Sequence, residues 1–165
     1  MPIYSEAAEE LADIMSGMNI ALVYGGATVG LMGVIANRML KNGSKVIGVI
    51  PKKLADLEIA HNDLSELHIV NSMHERKKRI SDLADGFIML PGGPGSLDEF
   101  FEMFTWAKLG LHLKPCGILN THGYYDDLVK LLNHSVSQGF LKPVHRNMIV
   151  ISQSPVDLMN IIKLS

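Results

Sequence analysis

The segment PGGPGSLDE, residues 91–99, gathers three glycines, a hydroxyl and two carboxylates directly behind the apolar run GFIML at 86–90. Glycines at 92, 93 and 95 carry no side chains that would hold a ligand away from the backbone. The first amides of the helix expected from Ser96 onward are donors without helical partners, suited to a phosphate. Against that stand Asp98 and Glu99, whose charge would repel an anion bound beside them. A loop built only to bind phosphate would avoid them, whereas a carboxylate needed for chemistry explains the cost. Glu99 is therefore the candidate to stabilise a developing cation and to orient or deprotonate a water. The same letters also satisfy S-x-x-E, a capping box in which Ser96 caps the helix and Glu99 reaches back to the Ser96 N–H. Both readings stay open at this level.

Two other segments carry residue types of the same kind. YGGATVGLMG, 24–33, is glycine-rich and follows the apolar run NIALVY. Its spacing is not G-x-G-x-x-G, no Lys-Ser/Thr follows Gly30, and the next apolar run ends in Pro51-Lys52-Lys53 rather than an acidic residue, which disfavours dinucleotide binding. Gly25 and Gly26 can serve close packing of helix and strand, or contact a ligand. NSMHERKKRI, 71–80, sets Arg76, Lys77, Lys78 and Arg79 in the first turns of an expected helix. Cations there oppose the helix dipole by a few tenths to ~1 kcal/mol each, an expense that a negative group nearby would offset. Arg76, nearest the strand end, is the site candidate; Lys78 and Arg79 read as a solvated face. His74, with an ordinary pKa near ~6.5, could titrate in the working range, although a lone histidine is more often structural.

What must position these segments is an alternation of strands and helices. Apolar runs at 19–24, 45–50, 66–70, 86–90, 115–120 and 147–151 read as buried strands. Between them lie helical spacings, first at Ser5 to Met18 with Ala8, Leu11, Ala12 and Met15 on one face, then at Gly30 to Lys41, closed by Gly43 as a left-handed cap. Residues 51–66 read as a short helix plus a surface loop. The class this predicts is α/β, a Rossmann-like, doubly wound, mainly parallel sheet flanked by helices. The pattern opens with a helix where such folds open with a strand, so the usual first strand is expected to be missing and the next strand to have an exposed edge or some other cover. In an open parallel sheet the ligand crevice lies outside the carboxyl ends of the strands, where all three segments fall.

At 165 residues, the chain is expected to be a single domain, 1–165, around one core. A net charge of −2 gives no general reason for nucleic-acid or anionic-membrane binding. The one cysteine, Cys116, lies in an apolar run and fits a buried thiol in a reducing compartment. The N-terminus lacks a signal layout and no apolar stretch approaches the ~20 residues needed to span a bilayer, so a soluble, cytoplasmic protein is expected.

PGGPGSLDE resembles the PGGxGTxxE signature of the Lonely Guy (LOG) family, the cytokinin riboside 5′-monophosphate phosphoribohydrolases, once widely mislabelled as lysine decarboxylases. SMHERK at 72–77 resembles that family's second signature, and YGGATVGLMG, VIGVIP, TWAKLGLHLKP and GYYDDL are similar to its segments in the same order. The resemblance runs from about Tyr4 to Ile151. It implies hydrolysis of the N-glycosidic bond of a nucleoside 5′-monophosphate without metal or organic cofactor. Arg76 and Glu99 would be needed for turnover, with phosphate bound by Gly92, Gly93, Gly95 and Ser96, contacts from Met73 and Lys77, and a homodimer with its site near the subunit interface. Paired with Glu99, Arg76 would hold that carboxylate ionised. Ser96 replaces the usual threonine and keeps the hydroxyl, while the family's opening strand and Gly-Ser loop are absent. Phe100, Phe101, Phe104 and Trp106 suit either that interface or ordinary core packing. A nucleotide-binding module without catalysis is the alternative from another class. Decarboxylase chemistry would need a lysine placed for a pyridoxal Schiff base, and no lysine is singled out behind a strand.

Overall fold

The computed structural model describes residues 2–56, 60–61 and 63–162, which form two compact units, Met1–Ala84 and Asp85–Ser165. In the first unit, α1 (Pro2–Gly17) turns the expected stripe of Ala8, Leu11, Ala12 and Met15 inward, the i, i+3, i+4, i+7 face of an amphipathic helix. Asn19, left-handed at φ 56°, ends it: the N–H of Ile20 returns to Met15 O and that of Asn19 to Ser16 O, a Schellman closure with asparagine in place of glycine. The second helix, α2 (Gly30–Lys41), packs Ile35, Ala36 and Met39 inward and closes the same way at Gly43, φ 74°, with Ser44 N returning to Met39 O. Across the α1–α2 contact, Arg38 donates two hydrogen bonds of 2.7 Å to the Asp13 carboxylate. Arg38, helped by Asn42, holds the Asp13 carboxyl down at about 2.

Strands β1 (Leu22–Tyr24), β2 (Val46–Pro51) and β3 (Glu66–Val70) form a parallel sheet in the order β1-β2-β3, with Leu22 opposite Val46 and Ile47 opposite Glu66. Every residue of β2 is buried, as its unbroken apolar run requires. A short helix, α3 (Lys52–Ala55), follows it as expected; part of the surface loop predicted beyond, at 57–59 and 62, lies outside the described residues. Helix α4 (Met73–Leu83) follows β3.

The second unit repeats the pattern with β4 (Phe87–Met89), α5 (Pro94–Lys108), β5 (Cys116–Leu119), α6 (Asp126–Ser137), α7 (Pro143–Arg146), β6 (Ile149–Ser152) and α8 (Pro155–Ile161). Its parallel sheet runs β4-β5-β6, Phe87 facing Cys116 and Cys116 facing Ile149. Where the sequence pattern suggested one sheet, hydrogen bonding joins the described strands into two sheets of three. Phe100 and Phe104 lie in the core with Met89, Cys116, Ile118 and Ile149, while Phe101 is partly buried against it, edge to face with both. For Phe100 and Phe104 the core alternative holds, and Trp106 is half-buried. Burial pushes the Cys116 thiol up to about 11, which suits a packing role rather than a nucleophilic one. The six strands among the described residues fall within the predicted apolar runs or one residue beyond them.

One histidine ties α5 to the chain before β5. The N–H of Lys114 donates to Nδ1 of His112, so Nε2 carries the proton and donates to Met103 O at 2.9 Å. Desolvation draws the His112 pKa below the ordinary value, the Met103 carbonyl opposing it and the Lys114 charge adding to it. A folded pKa below the unfolded one means that the unfolded chain takes the proton first. The contribution is therefore full above ~6.5 and is lost as pH falls through the folded value. In denaturant titrations between pH 7.5 and pH 5, His112→Gln should lose less stability than the wild type; equal losses would show that this ring does not sense the acid.

Candidate active site

In the first unit, the site residues converge on the Arg76 guanidinium. Ser72 caps α4, its Oγ accepting from Glu75 N at 3.1 Å, and Glu75 Oε2 accepts from Asn71 N at 2.8 Å. This puts a carboxylate in the first turn, favourable to the dipole that the following cations oppose. Arg76 Nε then donates to Val49 O near the end of β2, at 3.1 Å. A Cβ added to Gly25 would stand 2.0 Å from Arg76 Nη2, so the guanidinium lies directly on the bare face of that glycine. Met73 Sδ makes a weak contact with Nη1 at 3.9 Å. Gly25, Met73 and Arg76 are thus brought together within one unit. Lys77 is half-buried in the next position. Lys78 pairs with Asp82, Arg79 donates to His68 Nδ1 at 3.4 Å, and both are exposed with His74, as the solvated-face reading expects.

Gly26 has a packing reason for its identity. Its φ is 76°, and an added Cβ would lie 3.3 Å from Ile50 Cβ. Its carbonyl accepts from His61 N at 2.9 Å. His61 is itself buried; Asp63 N donates to its Nδ1, leaving Nε2–H to donate to Asn37 Oδ1 at 2.8 Å. His61 was missed in the sequence because the stretch before β3 has no period that fixes where its side chains go, and Asn37, within α2, because helical spacing does not show which residue of another segment it meets.

In the second unit, α5 begins at Pro94 with Gly93 as its N-cap, and the N–H groups of Ser96 and Leu97 turn back to Gly93 O at 3.1 and 3.3 Å. Proline suits the first helical position, where no N–H is needed. The capping box proposed for 96–99 is therefore corrected: Ser96 lies inside the first turn, and the S-x-x-E pattern that does cap is Ser72 to Glu75. Freed from capping, the Ser96 hydroxyl lies over Gly92, 2.1 Å from where a Cβ there would stand. Gly93 and Gly95 are exposed, have no positive φ, and an added Cβ at either would meet nothing within 4 Å. Among the described residues, neither a positive φ nor a close contact requires glycine at these two positions. The two carboxylates part company: Asp98 is exposed, while Glu99 is half-buried with Oε1 sealed from solvent.

Two residues without a role in the sequence reading stand behind this loop. Tyr124 donates to Gly92 O at 2.9 Å and Tyr125 to Leu90 O at 2.8 Å. Their signals were their place soon after a strand and the likeness of GYYDDL to a segment of the Lonely Guy family. Among the described residues, no group of three or more His, Cys, Asp or Glu could hold a metal ion, and no helix is long and apolar enough to cross a membrane.

Residues 32–162 match a family model described as "Possible lysine decarboxylase". A cytokinin riboside 5′-monophosphate phosphoribohydrolase from Rhodococcoides fascians is 45% identical over 149 residues, covering 90% of this chain and 75% of that protein. One of the same name from Arabidopsis thaliana is 44% identical over 156 residues, covering 94% and 73%. In fold, the chain is similar to the molybdenum cofactor binding protein of Rippkaea orientalis, with a TM-score of 0.73 at 20% identity over 98% of this chain and 87% of that one. The molybdenum cofactor carrier protein of Chlamydomonas reinhardtii gives 0.71 at 16% identity, covering 97% and 86%. At such identities the likeness speaks for the Rossmann-like α/β fold alone. The identities above 40%, together with the two signatures carrying Arg76 and Glu99, place this chain in the Lonely Guy family of cytokinin riboside 5′-monophosphate phosphoribohydrolases.

Proposed function

We propose that the protein hydrolyses the N-glycosidic bond of adenosine 5′-monophosphates, N6-substituted ones included, to free base and ribose 5-phosphate. The observation that carries this reading is the Pro91–Glu99 segment: accessible backbone at Gly93 and Gly95, followed within two helical turns by a half-buried glutamate. The glycines and Ser96 suit the 5′-phosphate at a helix N-terminus. Cleavage builds positive charge on the anomeric carbon and ring oxygen while the base departs with the bonding electrons. Glu99 stabilises that cation and orients or deprotonates the attacking water, as one carboxylate does in O-glycoside hydrolysis. Arg76, which keeps its charge at any working pH, serves as the fixed cation for phosphate or sugar hydroxyls. Gly25, Gly26, Met73 and Lys77 complete the binding residues of this reading.

Residues 1–165 act on this proposal as one catalytic domain, cytoplasmic and homodimeric. Purified protein incubated with AMP, or with an N6-substituted AMP, should release free base detectable by chromatography without added metal or organic cofactor. Binding of AMP by calorimetry with no base released would instead mark a nucleotide-binding module.

A further inference from the structure

We propose that Tyr124 and Tyr125 are positioning residues that aim the glycine loop through its carbonyls; the inference rests on the hydrolase reading above. Glycines at 92, 93 and 95 widen the range of conformations open to this loop, so something must select one. The two hydroxyls do so by donating to Leu90 O and Gly92 O. Because a trans peptide points its C=O and N–H in opposite directions, holding the Gly92 carbonyl on the tyrosine side directs the Gly93 amide to the other side. Gly93 is the N-cap of α5, so this amide stands at the end where the phosphate is read to bind.

The pair is itself held firmly. Tyr125 is buried in the core of its unit, and its ring meets that of Tyr124 edge to face at 4.8 Å between centroids. Asn120, buried behind β5, accepts from Tyr125 N at 2.6 Å and donates to Asp126 Oδ1 at 2.8 Å. This braces the turn through Gly123, φ 70°, that delivers both rings. Burial, with the Tyr124 charge adding and the Gly92 backbone opposing, pushes the Tyr125 hydroxyl up to about 12, so it remains a donor wherever the fold is useful. Tyr124 is partly exposed, which makes Tyr124→Phe a substitution the fold should tolerate.

The test compares wild type, Tyr124→Phe and Tyr125→Phe in base release from AMP, inhibition by ribose 5-phosphate, and thermal melting. Tyr124→Phe should raise KM ~10-fold and weaken ribose 5-phosphate inhibition by the same ~10-fold, the size of one hydrogen bond, while kcat falls less than about threefold. Tyr125→Phe should act in the same direction with an added loss of melting temperature. Unchanged KM and inhibition in Tyr124→Phe, or a fall in kcat and melting alone, overturns the inference while wild-type turnover keeps the hydrolase reading intact. If the wild type releases no base, that reading fails instead, and calorimetric titration with AMP decides the matter: weaker binding by Tyr124→Phe supports the positioning role, equal binding refutes it.

Discussion

Glu99→Gln is expected to lower kcat for base release by ~10³-fold or more, equivalent to ~4 kcal/mol of transition-state stabilisation. Glutamine keeps the size and most of the hydrogen-bonding capacity of glutamate, so α5 should pack as before and melting should shift by no more than a few degrees. What it removes is the negative charge, and with it both the counter-charge to the sugar cation and the acceptor for the proton of water. The loss should therefore fall on kcat rather than KM, as expected for an interaction made chiefly in the transition state. Single-turnover rates with AMP separate the two. A variant that turns over at the wild-type rate would remove the carboxylate from the reacting centre.

Gly25→Ala should be nearly as damaging although it touches no proposed reacting atom. The new Cβ would collide at 2.0 Å with Arg76 Nη2, the far end of a flexible side chain, and at 3.1 Å with its Cζ. The side chain can swing aside, and Gly25 has no positive φ to strain, so melting should change by only a few degrees. In moving, Arg76 loses its hydrogen bond to Val49 O and its seat on the glycine. Turnover should fall ~10²-fold, because small displacements of a positioned group carry penalties of that order. A double-mutant cycle gives the decisive measurement. In an Arg76→Ala background, adding Gly25→Ala should cost little more, since both changes act through one guanidinium. Strictly additive losses would mean that Gly25 matters for another reason.

The fold class could be read from the sequence because buried parallel strands leave unbroken apolar runs, and β2 and β5, wholly buried, stand out most clearly. Helix α2 begins and ends where its spacing and the Gly43 cap predicted. Arg76 and Glu99 could be singled out as candidates because the proposed chemistry depends on residue type. The site was not legible where one pattern fits two places: S-x-x-E occurs at 72–75 and at 96–99, and only the structure shows that Gly93 and Pro94 already start α5, leaving Ser96 nothing to cap. Spacing also could not tell a glycine that makes room for an arginine, Gly25, from one that needs a left-handed backbone, Gly26. Tyr124, Tyr125 and His61 act through long-range hydrogen bonds to carbonyls, which leave no periodic trace in a sequence.

The anchoring of Arg76 by Val49 O and Gly25 also bears on how fast and how tightly an anion can be captured. Fixing a long, rotamer-rich side chain at the moment of association ordinarily costs about 0.5–1.5 kcal/mol in lost torsional freedom. On the proposed reading, part of that entropy is surrendered when the chain folds, before any nucleotide arrives, so an incoming phosphate or sugar would meet a cation whose torsions are already restricted.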